Sequence, residues 1–331
     1  MSSSKTVSEF DFKIHTDGLR RQIEESLALY LSFYDPPALW DSMRYSVLGG
    51  GKRLRALLCL STGMAIKAGG LKTVRTLMPC ACAIEMVHAM SLIHDDLPCM
   101  DDDDLRRGKP TNHKVFGQAL ALLAGDALLM HAMDILIDKT PRTIDRSTLM
   151  SVALELARAT GARGMVAGQV QDLTFTGLTA PAAAGDRADT DSSLSTMSYD
   201  SLDVEIIESI HRRKTGALIK FSVWSAAKLA GASQGQIDGL DRYGDILGLA
   251  FQIADDLLDV TGDIDTLGKT PGKDEASKKA TWVRVFGING AREKLAQLEE
   301  EGENLLSGLH LESGSSPALS ALLKYAIHRT N

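Results

Sequence analysis

The chain has 331 residues, and its 43 acidic against 36 basic side chains give a formal net charge of −7 at pH 7. An acidic surface repels nucleic acid, so no nucleic-acid partner is expected. Aromatic residues make up only 5% of the chain, and the sequence has no series of short β-branched runs bounded by turns, which predicts an all-α fold. No linker rich in proline or glycine divides it, so we expect one domain over residues 1–331.

Residues 1–13 carry no recognisable targeting pattern. They have neither the apolar core of a secretory signal nor the arginine-rich amphipathic pattern of a transit peptide. The four cysteines lack both the density of a disulfide scaffold and the C-x-x-C spacing of a zinc site. A reducing compartment is therefore expected.

Residues 49–55 read GGGKRLR, a glycine-rich and basic segment. They lack the Walker spacing G-x-x-x-x-G-K-[ST], so a nucleotide P-loop is a poor fit. The segment still offers Lys52 and Arg55 as cationic donors to phosphate. Further along, His88 precedes Asp95 by two helical turns and shares its face, although a lone histidine in an apolar helix is more commonly a core residue.

Residues 85–111 read EMVHAMSLIHDDLPCMDDDDLRRGKPT, an apolar stretch that runs into aspartates. Desolvating a carboxylate without a counter-charge costs about several kcal/mol, so Asp95 and Asp96 indicate a neighbouring cation. Pro98 is expected to kink or end the helix. Asp101 must then reach back from a distorted segment to join the cluster.

The middle of the chain contains an apolar helix and a polar excursion. Residues 119–137 are long enough to span a bilayer, but Asp126 and Asp134 interrupt them, so a buried core helix is expected and no transmembrane segment. Residues 177–203 are rich in Ala, Asp, Ser and Thr. They are predicted to form a mobile insertion without a catalytic role.

Residues 251–259 read FQIADDLLD and form a second aspartate cluster. Asp255 and Asp259 lie at i and i+4, which puts both carboxylates on one helix face. Mg²⁺ prefers oxygen ligands and commonly binds one or two protein carboxylates while bridging to substrate phosphates. The two clusters together predict a Mg²⁺ site and a substrate that carries phosphate.

With their flanking residues, the two clusters resemble the first and second aspartate-rich motifs of the trans-isoprenyl diphosphate synthases. Residues 82–117 are most similar to the plant-type geranylgeranyl diphosphate synthases. The resemblance runs in family order from about residue 48 to the C-terminus and breaks mainly at 177–203. It implies a single polyprenyl synthase domain, an all-α isoprenoid synthase bundle around a central active-site cavity.

The resemblance also assigns roles to individual residues. It implies about three Mg²⁺ ions per site, with the metal ligands Asp95, Asp96, Asp101, Asp255 and Asp259. It implies an isopentenyl diphosphate site formed by Lys52, Arg55, His88 and Arg107. It implies an allylic diphosphate site formed by Arg106, Lys214, Thr215, Gln252, Lys269 and Lys279. Lys214, Thr215 and Gln252 also match residues that stabilise the allylic carbocation through side-chain and backbone oxygen atoms.

The implied chemistry is chain elongation. Metal and cationic side chains stabilise the negative charge that develops on the departing diphosphate, and isopentenyl diphosphate attacks the allylic carbocation that remains. The released diphosphate takes the final proton, so the chain needs no Ser-His-Asp or Cys-His nucleophile. The expected substrates are isopentenyl diphosphate and the allylic dimethylallyl, geranyl and farnesyl diphosphates.

Met90 and Ser91 precede Asp95 by five and four residues, about one helical turn deeper, where a growing prenyl tail would pass. Neither is aromatic, whereas relatives that stop at farnesyl commonly carry aromatic residues there. Geranylgeranyl diphosphate is the first choice of product, with farnesyl or a longer product kept open. Met90 could instead simply fill core volume.

Two other functions remain as alternatives. A class I terpene cyclase also uses aspartate-bound Mg²⁺, but it needs no isopentenyl diphosphate site. A non-catalytic synthase subunit is argued against by the intact carboxylates of both motifs.

The resemblance also implies an assembly and a compartment. It implies a homodimer. Cys59 is followed four residues later by Gly63, which departs from the C-x-x-x-C motif that relatives use to pair with a small subunit and argues against such a heteromer. A plastid location is expected if the chain is a mature plant-type form, with the cytoplasm as the alternative.

Overall fold

The computed structural model describes residues 11–32, 35–67, 69–175, 204–261, 281–312 and 316–329. These residues form helices joined by short turns. The helices are α1 (Phe12–Tyr30), α2 (Pro37–Val47), α3 (Leu54–Ile66), α4 (Leu71–Asp95), α5 (Asn112–Phe116), α6 (Gln118–Lys139), α7 (Arg146–Thr160), α8 (Met165–Phe175), α9 (Val204–His211), α10 (Ala217–Ala230), α11 (Gln234–Thr261), α12 (Trp282–Gly308) and α13 (Ser316–His328). The all-α prediction is confirmed.

Two short irregular elements interrupt the helices, and both lie beside the site. An antiparallel hairpin pairs β1 (Leu105–Arg106) with β2 (Lys109–Pro110). A π-helical segment, Arg212–Gly216, joins α9 to α10. Because π-helical turns are rare and frequent at functional sites, this segment marks the region for closer inspection.

The core is formed by α3, α4, α10 and α11, which pack against one another and are covered by the remaining helices. Nearly every residue of α3 is buried, including its small and polar residues. Such a helix has no polar face because it is surrounded by others. The two longest central helices, α4 and α11, each carry an aspartate cluster near the C-terminal end.

Among the residues that the structure describes, two helices are long and apolar enough to cross a membrane by length and composition. The apolar window of α4 is 78% buried inside the protein, and that of α6 is 39% buried. The expectation of a buried core helix over 119–137 is therefore only half right. Ala121, Ala124 and Leu128 face the core, whereas the opposite side of α6 exposes large apolar residues.

Some predictions fall on residues outside the described ranges. The insertion at 177–203 is one of them, and Lys269 and Lys279 are two others. The described helices share one continuous hydrophobic cluster. The single-domain assignment over 1–331 stays a prediction.

Candidate active site

A cavity of about 410 Å³ lies where the C-terminal parts of α4 and α11 meet α8, the π-helical segment and the start of α3. Apolar and charged side chains line it together. The lining residues are Arg55, His88, Leu92, Asp95, Asp101, Arg106, Arg107, Asp172, Ile210, His211, Lys214, Thr215, Phe251, Gln252, Asp255, Asp256, Leu258, Asp259 and Thr281. Both aspartate clusters and most of the cations expected from the sequence thus open into one space.

The first carboxylate wall is built by the end of α4. The helix ends at Asp95, and Pro98 stands in the turn that follows, as expected from the restriction proline imposes. The backbone N–H of Asp101 donates to the Asp95 carbonyl at 2.8 Å. This turn folds the chain back on itself and brings Asp95 and Asp101 to the same cavity, although they would not share a face on an unbroken helix.

Asp96 is set apart from the other metal candidates. Its side chain is buried, and its carboxylate accepts hydrogen bonds from Arg106 Nε at 2.8 and 3.0 Å. Burial lowers the pKa of Arg106, but the hydrogen bond and charge of Asp96 outweigh it and raise that pKa. The hairpin that holds Arg106 therefore uses Asp96 as its counter-charge, and Asp96 does not line the cavity.

The second carboxylate wall is the C-terminal part of α11. Asp255 and Asp259 both line the cavity, as the i, i+4 spacing predicts. Asp256 accepts a hydrogen bond of 3.2 Å from Gln252 Nε2 and one of 2.7 Å from the backbone N–H of Trp282. Gln252 Oε1 in turn accepts from Thr215 Oγ1 at 2.7 Å. Asp256 thus orients the glutamine and anchors the start of α12.

The cationic residues near the cavity differ in burial, in their partners and in whether they line it. Arg55 is buried, and burial lowers its pKa. Its Nε has no hydrogen-bond partner among the described residues. Arg107 donates to the carbonyl of Gly50. Lys52 does not line the cavity. Its ammonium lies 5.9 Å from the ring centroid of Tyr325.

His88 lines the cavity as a neutral side chain. Burial, followed by the charge of Arg55 and the other arginines, holds the pKa of His88 well below its ordinary value. The imidazole therefore offers hydrogen bonds and carries no positive charge at neutral pH.

Two lining residues, Asp172 and His211, and the neighbouring Arg329 were missed by the sequence reasoning. Asp172 of α8 forms an ion pair with Lys214. Arg329 donates from Nη2 to Asp255 at 2.7 Å, and its guanidinium lies 3.5 Å from the Phe251 ring centroid. His211 is buried against Asp256 with Nε2 at 3.4 Å from the carboxylate, and burial lowers its pKa to about 3. Of these residues, only Asp172 gave a signal in the sequence, as a lone aspartate inside the apolar α8.

The residues proposed to limit chain length lie on different sides of α4. Met90 is 4% exposed and belongs to the hydrophobic core. Ser91 is half-buried and donates from its hydroxyl to the His88 carbonyl at 2.9 Å. Leu92, which neither motif singled out, is the α4 residue beside them that lines the cavity.

The donor set fits a hard cation that is shared with a phosphate ligand. Among the described residues, no three carboxylate, imidazole or thiol groups lie close enough together to hold an ion unaided. Asp95 and Asp101 stand on one wall and Asp255 and Asp259 on the other. Such an arrangement suits Mg²⁺, which completes its coordination with substrate phosphate and water.

Comparison with known proteins agrees with the geometry. The sequence pattern described as polyprenyl synthetase matches residues 36–305. A chloroplastic geranylgeranyl pyrophosphate synthase from Capsicum annuum is 38% identical over 100% of this chain and 82% of its own length. A chloroplastic heterodimeric geranylgeranyl pyrophosphate synthase large subunit 1 from Arabidopsis thaliana is 40% identical over 98% of this chain and 81% of its own length.

A solved structure extends the agreement to the fold. An FPP/GFPP synthase from Zymomonas mobilis superposes with a TM-score of 0.78 at 33% identity, covering 95% of this chain and 98% of the other. A helical bundle around a cavity with two aspartate walls and a basic cluster defines a trans-prenyltransferase. The chain belongs to the polyprenyl synthetase family, and the resemblance deduced from the aspartate motifs is confirmed.

Proposed function

We propose that the protein condenses isopentenyl diphosphate with allylic diphosphates in a Mg²⁺-dependent reaction to give geranylgeranyl diphosphate. The observation that carries the proposal is the single cavity that holds both carboxylate walls together with Arg55, His88 and Arg107. A terpene cyclase binds a single diphosphate substrate and needs no isopentenyl diphosphate site. Arg55, His88 and Arg107, in addition to the carboxylate walls, therefore favour an enzyme with two diphosphate substrates.

The metal would be held by Asp95 and Asp101 on one wall and by Asp255 and Asp259 on the other, with about three Mg²⁺ ions per site. Bound Mg²⁺ supplies positive charge to the departing diphosphate. Asp96 would act indirectly, because its carboxylate is engaged by Arg106. This division modifies the ligand set expected from the sequence by moving Asp96 from metal ligand to partner of Arg106.

The protein's own residues would orient the two substrates. Arg55 and Arg107 would bind the diphosphate of isopentenyl diphosphate, and neutral His88 would add a hydrogen bond. Lys214 would bind the allylic diphosphate, and the oxygens of Thr215 and Gln252 would face the carbocation. The apolar residues Leu92, Ile210, Phe251 and Leu258 would keep water away from that cation.

The choice of geranylgeranyl diphosphate is supported by the absence of an aromatic side chain at Met90 and Ser91 and by the names of the plant relatives. Farnesyl diphosphate or a longer product is the alternative. The chloroplastic relatives also support a plastid as the place of action.

We further propose a homodimer. The exposed apolar side of α6 is a surface that a second copy would cover. A small-subunit heteromer is less well supported, although one relative is named as the large subunit of such an assembly. Cys59 is fully buried, and a Cβ at Gly63 would lie 1.9 Å from Leu77 Cδ1, so a cysteine at position 63 would require repacking.

The direct test is chain-length analysis of products from the purified chain given isopentenyl diphosphate with dimethylallyl, geranyl or farnesyl diphosphate. Geranylgeranyl diphosphate should form with Mg²⁺ and not after chelation. Cyclic hydrocarbons made without isopentenyl diphosphate would identify a cyclase. An inactive but folded chain that binds Mg²⁺ would support the non-catalytic alternative.

A further inference from the structure

Glu85 is a buried carboxylate that stands behind the cationic residues of the cavity without lining it. Its side chain is 3% exposed and belongs to α4. Oε2 lies 3.4 Å from Arg53 Nη1, and Oε1 accepts a hydrogen bond of 3.2 Å from the backbone N–H of Ala56. A carboxylate removed from water must be paired. The pairing fastens α4 to the first turn of α3.

Arg53 is fixed from several sides. It precedes α3 with φ 54°, a left-handed conformation that is uncommon for a residue with a side chain. Its guanidinium donates to Glu24 at 2.7 and 3.1 Å and to the Val47 carbonyl at 2.6 Å. Burial lowers the pKa of Arg53, but the hydrogen bonds and charges of Glu24 and Glu85 outweigh it and raise that pKa. Arg53 therefore stays charged and holds its unusual backbone in place.

The backbone around Arg53 sets where the two cavity arginines stand. Arg55 follows two residues later and lines the cavity. Arg107 donates to the carbonyl of Gly50, and a Cβ at Gly51 would lie 2.7 Å from Arg107 Nη1. Arg107 is thus seated directly on the backbone of the same loop. A shift at Arg53 would move both guanidinium groups together.

Glu85 also acts on these arginines through its charge. Burial lowers the pKa of both Arg55 and Arg107, and the negative charge of Glu85 opposes that effect at each. His88, one helical turn beyond Glu85 on α4, completes the cluster. The charge of Glu85 therefore acts on both arginines expected to bind isopentenyl diphosphate, and His88 follows Glu85 on the same helix.

We propose that Glu85 is a positioning residue for isopentenyl diphosphate. It fixes Arg53 and the first turn of α3 so that Arg55 and Arg107 present their guanidinium groups to the diphosphate. The inference rests on the prenyl transfer proposed above. Lys214, Thr215 and Gln252 stand on the π-helical segment and α11, and Arg106 is held by Asp96, so the allylic substrate should depend less on Glu85.

The test is a comparison of Michaelis constants for the two substrates. Glu85→Gln keeps the side-chain shape and removes the charge, so the constant for isopentenyl diphosphate should rise about tenfold or more while that for farnesyl diphosphate changes less than about twofold. Arg53→Lys keeps the charge but loses the planar fork and should give the same split. Val152→Ala, which removes buried methyl groups in α7, is the control for lost stability.

Equal rises in both Michaelis constants would overturn the positioning role, and so would a split reproduced by Val152→Ala at matched thermal stability. If Glu85→Gln fails to fold, the positioning role is tested by Arg53→Lys alone, through the unequal change in the two Michaelis constants. The wild-type chain separates the two proposals. A wild-type chain that binds both substrates without condensing them refutes prenyl transfer, whereas an active wild type with unsplit variants refutes only the role of Glu85.

Discussion

Charge compensation at single residues explains how so many ionic groups are held in one partly buried space. Three carboxylates in or directly behind the cavity wall are each paired with a cation of the protein: Asp96 with Arg106, Asp172 with Lys214 and Asp255 with Arg329. Pairing of this kind is what burial requires of an ionised group. We therefore expect binding of a diphosphate with Mg²⁺ to exchange ionic partners, with protein cations that pair with carboxylates contacting phosphate instead.

The two carboxylate walls make a first prediction at this scale. Asp95→Ala or Asp255→Ala removes a ligand and leaves diphosphate charge uncompensated, so kcat should fall about a hundredfold or more. Asp238→Ala on the exposed side of the same α11 should leave kcat within about twofold. Product formation at saturating Mg²⁺ measures both. Near wild-type turnover of either wall variant would contradict a metal site shared between the walls.

Among the elements, the π-helical segment Arg212–Gly216 depends on close backbone contacts. A Cβ at Gly168 of α8 would lie 2.2 Å from the backbone N of Lys214, and one at Gly248 of α11 would lie 2.8 Å from Gly216 Cα. Only glycine permits such approach. The two glycines thus allow α8 and α11 to pack closely against the π-helical segment. This packing places Lys214 and Thr215 at the cavity.

Gly168→Ala should therefore reduce catalysis at the active site more than it destabilises α8. The new methyl group must push the π-helical segment away, at about 1–3 kcal/mol of unfolding free energy, and kcat should fall about tenfold because Lys214 moves. Gly235→Ala on α11 is the matched control, since a Cβ there meets nothing within 4 Å. It should leave kcat unchanged and keep or slightly raise thermal stability. Similar kinetics for both variants would show that the contact does not position Lys214.

The faces of α4 separate the two residues expected to meet the prenyl tail. At 100° per residue, Ser91 lies about 40° from Asp95 around the helix, whereas Met90 lies about 140° away. Ser91 is half-buried, and Met90 is packed in the core. Steric control of the tail from α4 is therefore better placed at Ser91.

Ser91→Phe should shorten the product. The ring adds bulk one turn below Asp95, and a packed pocket cannot absorb it without displacing the tail. We expect a shift from geranylgeranyl toward farnesyl or geranyl diphosphate, with total isoprene transfer falling only modestly. Met90→Phe should shift products less and lower the melting temperature more, because position 90 is in the core. Chromatography of dephosphorylated products reads the lengths, and an unchanged profile from both folded variants would show that this part of α4 does not line the tunnel.

At the scale of the whole molecule, the sequence predicts those features that depend only on residues close together in the chain. Pro98 lies in the turn directly after α4, as its sequence context predicts, and the i, i+4 spacing places Asp255 and Asp259 together on any helix. Asp172 and Arg329 were missed because their partners are distant in sequence and no local pattern identifies them. In the sequence Arg53 is one of several basic residues in a loop. Only the structure shows that it is buried and paired with Glu24 and Glu85.

The surface of α6 was also beyond a reading of local pattern. Its apolar residues surround the helix, so the sequence could not say which side meets the core. In the structure Leu122, Leu123, Met130 and Ile137 remain exposed, and they fall within about 100° of one another around the helix. Asp126 is exposed among these four apolar residues, which we call the α6 stripe. Large exposed apolar side chains grouped on one side of a helix are typical of an interaction surface. A symmetric dimer would cover the same stripe on both copies.

The last prediction tests that stripe. Leu123 is 56% exposed and would lie in the covered surface. Leu123→Glu would place an unpaired charge on each side of the interface and so should separate the two copies. The mass measured by light scattering at micromolar concentration should then fall from twice the chain mass of 35.6 kDa toward that mass. Leu71→Glu is the matched control, because Leu71 is 63% exposed at the first turn of α4 and outside the stripe. It should stay dimeric, with acid at a helix start mildly favourable. A wild-type chain that is monomeric at this concentration, or a Leu123→Glu chain that stays dimeric, would show that α6 does not hold two copies together.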